Sequence, residues 1–528
     1  MKIMKNYSYR LFSFCLLTVL LFSCSDSFVD LPNPSEVSVE VFPRDLKDLE
    51  QVNNQVYGHL NSWYGFGSEM LAKTTFPNDH TTDMAYLTAD FWNTIAINKY
   101  DAANTIFRTV WQGMYRAILS TNTTLDFAGR INERTKLTAE GQARVKTMMG
   151  ENYFWRAYSH MLLCCYFGEG YPCNGDGGKK AVPLQSTLPQ DLPTTRVPRC
   201  TVDELYAQCI KDYVKAIELL PESWPQDQLF RPTRGAAKSF LGQLYLYQGD
   251  WARCAEMLKD VIDHSGKELV PFDVYKDMFN AGAEEYNKES ILELNEVADA
   301  RYGMGQRHSN YIAVTFRGQN GTKQCGGWGN LFFHDANIER FGDDPRLKVC
   351  ALAPGDPVTV DGFETTVMRY KDVPSKFKGW GLRKYVELTT THANLPDNYS
   401  GINLILMRLA DVYLMYAEAC NKMGNDDEAR KYVNLVRRRA WQDTAHDFTS
   451  TGLQLRDDIR EERFRELFSE GLQHWHDVCR WRTLGEEVEK WYQTTRAGAP
   501  VINDQSYYFP IPQYEIDNNP MCLQSEGY

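Results

Sequence analysis

Aromatic rings and short polar side chains crowd two stretches of this 528-residue chain in a pattern suited to gripping a sugar. Between residues 57 and 111 stand Trp63, Tyr64, Phe66, Phe76, Asn78, Asp79, His80, Asp83, Tyr86, Phe91, Trp92 and Asn93. A Gly-rich stretch over 301–330 adds Tyr302, Arg317 and Trp328. A sugar ring offers a face of C–H bonds edged by hydroxyls. Aromatic side chains cover such a face, burying area and meeting its slightly positive C–H groups with the ring quadrupole. Carboxylate, amide and guanidinium groups hold adjacent hydroxyls in fixed geometry. On that chemistry Trp92, Asp79, Tyr302 and Trp328 are the foremost candidate ligand contacts, followed by Trp63, Asn93 and Arg317. The alternative for each ring is core packing, which an aromatic in a Gly-rich loop fits least. Trp111 and Tyr115 follow a helical pattern and read as core.

No comparable arrangement points to bond breaking. His474 and His476 are two apart in a helical pattern, so they face different ways and cannot share a metal. The chain has no His-Glu-x-x-His, no Gly-x-Ser-x-Gly and no phosphate-binding Gly-x-x-x-x-Gly-Lys. Carboxylates are plentiful, but no glycosidase pair stands out among them. The 13 cysteines are scattered, without a Cys-x-x-Cys pair or metal-ligand spacing. Adjacent Cys164 and Cys165 sit in an apolar helical pattern and read as small buried hydrophobes. No catalytic residue and no cofactor is expected, with a structural calcium left open. A formal charge of −12 without basic clusters repels phosphate backbones, so nucleic acid is not an expected partner.

One further residue carries chemistry of a different kind. Lys2, Lys5 and Arg10 precede an apolar run over residues 11–22, which ends in Leu21-Phe22-Ser23-Cys24. The run is too short for a bilayer core, which needs roughly 20 residues. It reads as a cleaved signal over 1–23 with Cys24 in a lipobox setting. Acylation of Cys24 would hold the chain on a membrane, at about 0.8 kcal/mol per buried methylene. Pro32 and Pro34 keep the following segment, 24–45, extended as a tether.

The elements that must position these groups are helices. Residues 142–167 form a long apolar-periodic run, and 202–220 another, with Thr201 as N-cap and Pro221 just past its end. Phe240-Leu241-Gly242-Gln243-Leu244-Tyr245, a turn at Gly249-Asp250 and a second helix to Asp263 carry the spacing of a tetratricopeptide unit. A second such unit spans 403–440, with its turn at Met423-Gly424-Asn425. Further pairs are expected around 104–166 and 202–264. In the C-terminal region Phe464, Leu467, Phe468, Leu472, Trp475 and Cys479 make one helical stripe. Long Gly- and Pro-rich insertions interrupt the helices, and the ligand-binding ones are placed around 57–100 and 300–400.

Several separated motifs resemble the SusD/RagB family of nutrient-binding outer membrane lipoproteins. They are Cys24, the aromatic run Tyr153–Tyr158 with Phe167-Gly168 and Tyr171-Pro172, and Asp343-Asp344-Pro345-Arg346-Leu347. The helix from Leu406 to Ala419, the block Glu461-Glu462-Arg463 with Glu470-Gly471 and Arg480-Trp481, and the tail from Phe509 to Tyr528 complete the set in order. The resemblance implies a mainly α fold, a SusD-like α-α superhelix of tetratricopeptide-like helix pairs with a loop-rich insertion region, and a C-terminal SusD/RagB region over about 300–528. It implies a lipid-anchored protein on the cell surface, at the outer membrane, that captures an oligosaccharide and delivers it to a SusC-like TonB-dependent transporter. A peptide-uptake lid of the RagB type is the alternative, and a surface glycosidase the more remote one. Arg408, Glu418, Glu461, Arg463 and Arg480, which the motifs share, read as internal charge pairs rather than ligand contacts.

Overall fold

Helices carry most of the computed structural model, which describes residues 42–61, 82–83, 100–279, 284–296, 317–320, 323–326, 332–333, 335–360, 363–369, 378–385, 402–470, 473–487 and 502–528. The main helices are α1 (Leu46–Leu60), α2 (Thr105–Arg134), α3 (Ala139–Phe167), α4 (Val202–Leu219) and α5 (Arg234–Gln248). They continue with α6 (Trp251–His264), α7 (Leu409–Lys422), α8 (Asp426–Trp441), α9 (Gly452–Glu466) and α10 (Gln473–Trp481). From α1 to α8 each helix packs on the one before it, and α9 packs on α7 and α8. The stack runs across the long insertion, because α6 lies directly against α7. This is the mainly α superhelix that the sequence leads one to expect.

Local chemistry fixes the helix ends. The Asp45 carboxylate accepts from the Asp48 N–H and opens α1. Thr201 and Glu204 form a reciprocal capping box at the start of α4, which stops two residues before Pro221. Gly249 ends α5 in the left-handed conformation (φ +82°), and the Asp250 carboxylate then caps α6. Gly424 (φ +77°) and Asn425 repeat this turn between α7 and α8. At Gly242 a Cβ would come within 2.4 Å of Leu258, so the absence of a side chain lets α5 and α6 approach. Helix α3 is buried at every position from Gly150 to Phe167 except Tyr153, which makes it the central post of the stack.

Two expectations need correction. The early insertion starts later than residue 57: α1 continues to Leu60, and the Tyr57 hydroxyl donates to the buried Glu151 carboxylate at 2.6 Å. The C-terminal stripe is two helices rather than one. Leu467 caps α9, Ser469 adopts a left-handed φ of +61°, and α10 begins at Gln473. Across the break, Glu466 and Glu470 both pair with Arg408.

The strands are short and lie mainly in the insertions. Chain order gives β1 (Thr82–Asp83), β2 (Lys180–Pro183), β3 (Arg199–Thr201), β4 (Ser290–Leu294), β5 (Arg317–Asn320) and β6 (Lys323–Gly326). Then follow β7 (Phe332–Phe333), β8 (Ala351–Leu352), β9 (Pro357–Val360), β10 (Phe363–Met368), β11 (Gly381–Leu382) and β12 (Leu404–Arg408). Antiparallel β4 and β12 pair Leu294 with Leu404 and Ser290 with Arg408, closing the neck of the insertion where it leaves the helical stack.

A buried charge cluster ties the insertion to the stack. Arg346 pairs with Asp344, Glu462 and Glu466 at 2.6–2.8 Å. Arg408 pairs with Glu289, Glu466 and Glu470 at 2.5–2.8 Å, and Arg439 with Glu289 and Glu466. A second network joins Arg463 to Asp411 and Asp477, and Arg480 to Asp477 and Glu418. The motif residues Arg408, Glu418, Arg463 and Arg480 are thus internal pairs. Glu461 also pairs, with Arg340 at 2.7 Å, but on a half-exposed face.

Candidate ligand-binding site

Three points where the chain leaves the helical stack meet in one polar knot. The Asn61 amide, just past α1, donates to the Asn295 carbonyl at 2.9 Å. The Tyr286 hydroxyl donates to Asn295 Oδ1 at 2.9 Å, and its backbone N–H to Glu293 Oε1 at 2.8 Å. Asn403 donates to Glu293 Oε2 and accepts from the Glu296 N–H, each at 2.9 Å. Tyr286 holds a left-handed φ of +52°, an uncommon posture for a bulky residue. Burial pushes the Glu293 and Glu296 carboxyls above their ordinary value, Glu296 far above it, and neither Glu296 carboxyl oxygen has a hydrogen-bond partner among the described residues.

The two aromatic-rich insertions are joined by backbone. In the antiparallel ladder of β1 and β7, Thr82 faces Phe333 and Asp83 faces Phe332. Phe333 is fully buried, its N–H donates to the Trp380 carbonyl at 2.8 Å, and its ring lies 4.6 Å from that of Phe468 just past α9. Phe341 and Phe464 extend this aromatic base. The same insertion carries the sheet ordered β6-β5-β10-β9, in which Arg317 of β5 is opposite Gly326 of β6 and Met368 of β10.

Of the expected contacts, Trp63, Asp79, Trp92, Asn93, Tyr302 and Trp328 lie outside the described residues, as does Cys24. Arg317 is described by its backbone alone. In sequence, Asp79 stands three residues before β1 and Trp328 four before β7, so one ladder links the segments that carry them. Trp111 is buried as expected, whereas Tyr115 is only half buried, with its hydroxyl donating to the Pro183 carbonyl at 2.7 Å. His474 packs on Phe464, and His476 faces Tyr171 and Tyr166 instead, so the two histidines have separate surroundings. Sequence reasoning missed Glu293, Glu296 and Asn403. Their signal was faint: polar residues in or beside strongly apolar strands, next to the insertion borders.

Two family models match the chain. One, described as "Starch-binding associating with outer membrane", matches residues 27–246, and the other, described as "SusD family", matches residues 288–528. A SusD-like protein P25 from Formosa agariphila is 25% identical over 558 aligned positions, covering 96% of this chain and 97% of that protein. Among solved structures, a SusD homolog from Bacteroides thetaiotaomicron superposes with a TM-score of 0.76 at 17% identity, covering 93% of this chain and 99% of the other. A laminarin-binding SusD-like protein gives a TM-score of 0.72 at 20% identity, covering 92% and 100% respectively.

Proposed function

The chain belongs to the SusD family, and on that premise we propose that it captures an oligosaccharide at the cell surface and delivers it to a SusC-like TonB-dependent transporter. The family is one of glycan-binding surface proteins rather than enzymes. No helix among the described residues is long and apolar enough to cross a membrane. On this reading, acyl chains on Cys24 hold the protein at the outer membrane. The observation that carries the reading is the β1–β7 ladder, which joins the two segments richest in stacking and chelating side chains. Trp92, Asp79, Tyr302 and Trp328, with Trp63, Asn93 and Arg317, are the proposed contacts. The match to a starch-binding model and the fold likeness to a laminarin-binding protein support a glycan as cargo, and neither names which one.

A soluble glycan panel followed by calorimetry tests this. Trp92→Ala should weaken the best-bound glycan by about tenfold or more, as expected for loss of a stacking ring, with thermal unfolding unchanged. A panel without a single binder, with peptides co-purifying instead, would sink the glycan reading in favour of peptide uptake. New reducing ends in the glycan after incubation would make the protein a hydrolase.

A further inference from the structure

A cleft of about 470 Å³ lies between helix α2 and the C-terminal segment. Helix α2, the segment 183–196 and the short C-terminal helix Gln513–Asn518 line it, and among the described residues none from the two insertions contributes to it. The volume falls within the roughly 300–1,000 Å³ of small-molecule sites.

Its walls are braced by internal hydrogen bonds. The Trp111 indole donates to Glu515 at 3.2 Å, the Tyr115 hydroxyl to the Pro183 carbonyl at 2.7 Å, and the Asn122 amide to the Gln185 and Thr187 carbonyls at 3.0 and 3.1 Å. Its mouth is different. Gln112, Arg196 and Tyr514 line the cleft, and the polar ends of their side chains have no protein partner among the described residues. Tyr514 is 42% exposed, and Arg108, which does not line the cleft, covers one face of its ring at 4.4 Å.

We propose that this cleft is a second saccharide-binding site, with Tyr514 as the stacking platform and Gln112 and Arg196 as hydroxyl ligands. A purely apolar ligand would leave those polar groups buried and unpaired, at a cost a sugar's hydroxyls avoid. A fixed ring beside amide and guanidinium groups on rigid walls binds without ordering loops first. The inference rests on the glycan reading above and adds a separate grip to it. Two grips on one polymer raise the effective concentration of each for the other.

Calorimetry of the purified protein with the best-binding short oligosaccharide of a soluble glycan panel is the test. The intact protein should take two oligosaccharides per chain. Tyr514→Ala should abolish one binding event and leave the other with unchanged affinity. Arg196→Ala should weaken that same event about tenfold, and Trp92→Ala should spare it. Both substituted side chains are exposed, so a circular dichroism melt should be unaltered in each variant. A single oligosaccharide per intact chain, or two per Tyr514→Ala chain, overturns the second site while Trp92→Ala still reports on the first. Failure of every glycan to bind overturns both readings together.

Discussion

Glu466 answers to three arginines at once. Its carboxylate pairs with Arg346, Arg408 and Arg439, and its carbonyl accepts from Lys384 and Arg408. Burial opposes its ionisation, but the surrounding cations outweigh burial and hold the carboxyl well below the ordinary range. Glu418 behaves alike: burial raises it, and the Arg480 guanidinium brings it down to about 2. Removing one partner from such a buried set leaves an uncompensated charge, which costs about 3–5 kcal/mol. Arg408→Ala should therefore lower the unfolding free energy by about that amount in a urea titration. Glu461→Ala, whose partner Arg340 sits on a half-exposed face, should cost less than about 1 kcal/mol. Equal losses in the two variants would mean that burial is not what gives these pairs their weight.

At the scale of the element, the tetratricopeptide-like turns were readable because each residue type serves one conformation. Gly249 and Gly424 supply positive φ, while Asp250 and Asn425 cap the helix that follows. Gly242 does something else, since it makes room. A Cβ there would meet the Cδ2 and Cγ atoms of the fully buried Leu258 at 2.4 and 2.7 Å. Gly242→Ala should destabilise by about 1–3 kcal/mol, as overpacking does. Gly58 in α1 has nothing within 4 Å of its virtual Cβ, so Gly58→Ala should stabilise by about 0.5–1 kcal/mol. Differential scanning calorimetry would show the two melting temperatures moving in opposite directions. The α9–α10 break was not readable. An apolar stripe counts positions along a helix and does not register the left-handed turn at Ser469 that breaks it.

The molecule as a whole has a pH response built into its core. Burial first, and then the charges of Arg156 and Arg480, lower His160 and His476 from an ordinary 6.5 to about 3. His160 accepts from the Gln185 N–H through Nε2 and contacts the Arg156 carbonyl through Nδ1, which fits a neutral ring protonated at Nδ1. The folded chain leaves both rings neutral where the unfolded chain protonates them. Stability is then fully present above pH 6.5 and falls with acidification toward pH 3, by about 1.4 kcal/mol per pH unit for each histidine. In urea unfolding the two histidines together should contribute about 4 kcal/mol to the difference between pH 7 and pH 5, while the raised Glu293 and Glu296 carboxyls act in the opposite sense. Relative to the parent, His476→Gln should change the pH 7 to pH 5 difference by about 2 kcal/mol, and an unchanged difference in that variant would contradict the burial of the ring.

Sequence alone determined the helical architecture and the caps, because periodicity, capping carboxylates and turn glycines act over a few residues. It also marked Arg408, Glu418, Arg463 and Arg480 as structural, since charges inside apolar helical patterns must find partners. It did not name those partners. Glu289, Glu293, Glu296 and Asn403 were silent, because a polar residue in or beside a strand acquires meaning only when distant chain closes over it. The β1–β7 ladder was likewise beyond reach, as two-residue strands carry no periodicity to read. Tyr115 looked like core by spacing, and its half-exposed place in a cleft wall was decided by the segment 183–196 and the C-terminal helix folding against α2. Local rules act through neighbours in the chain, whereas sites are made by neighbours in space.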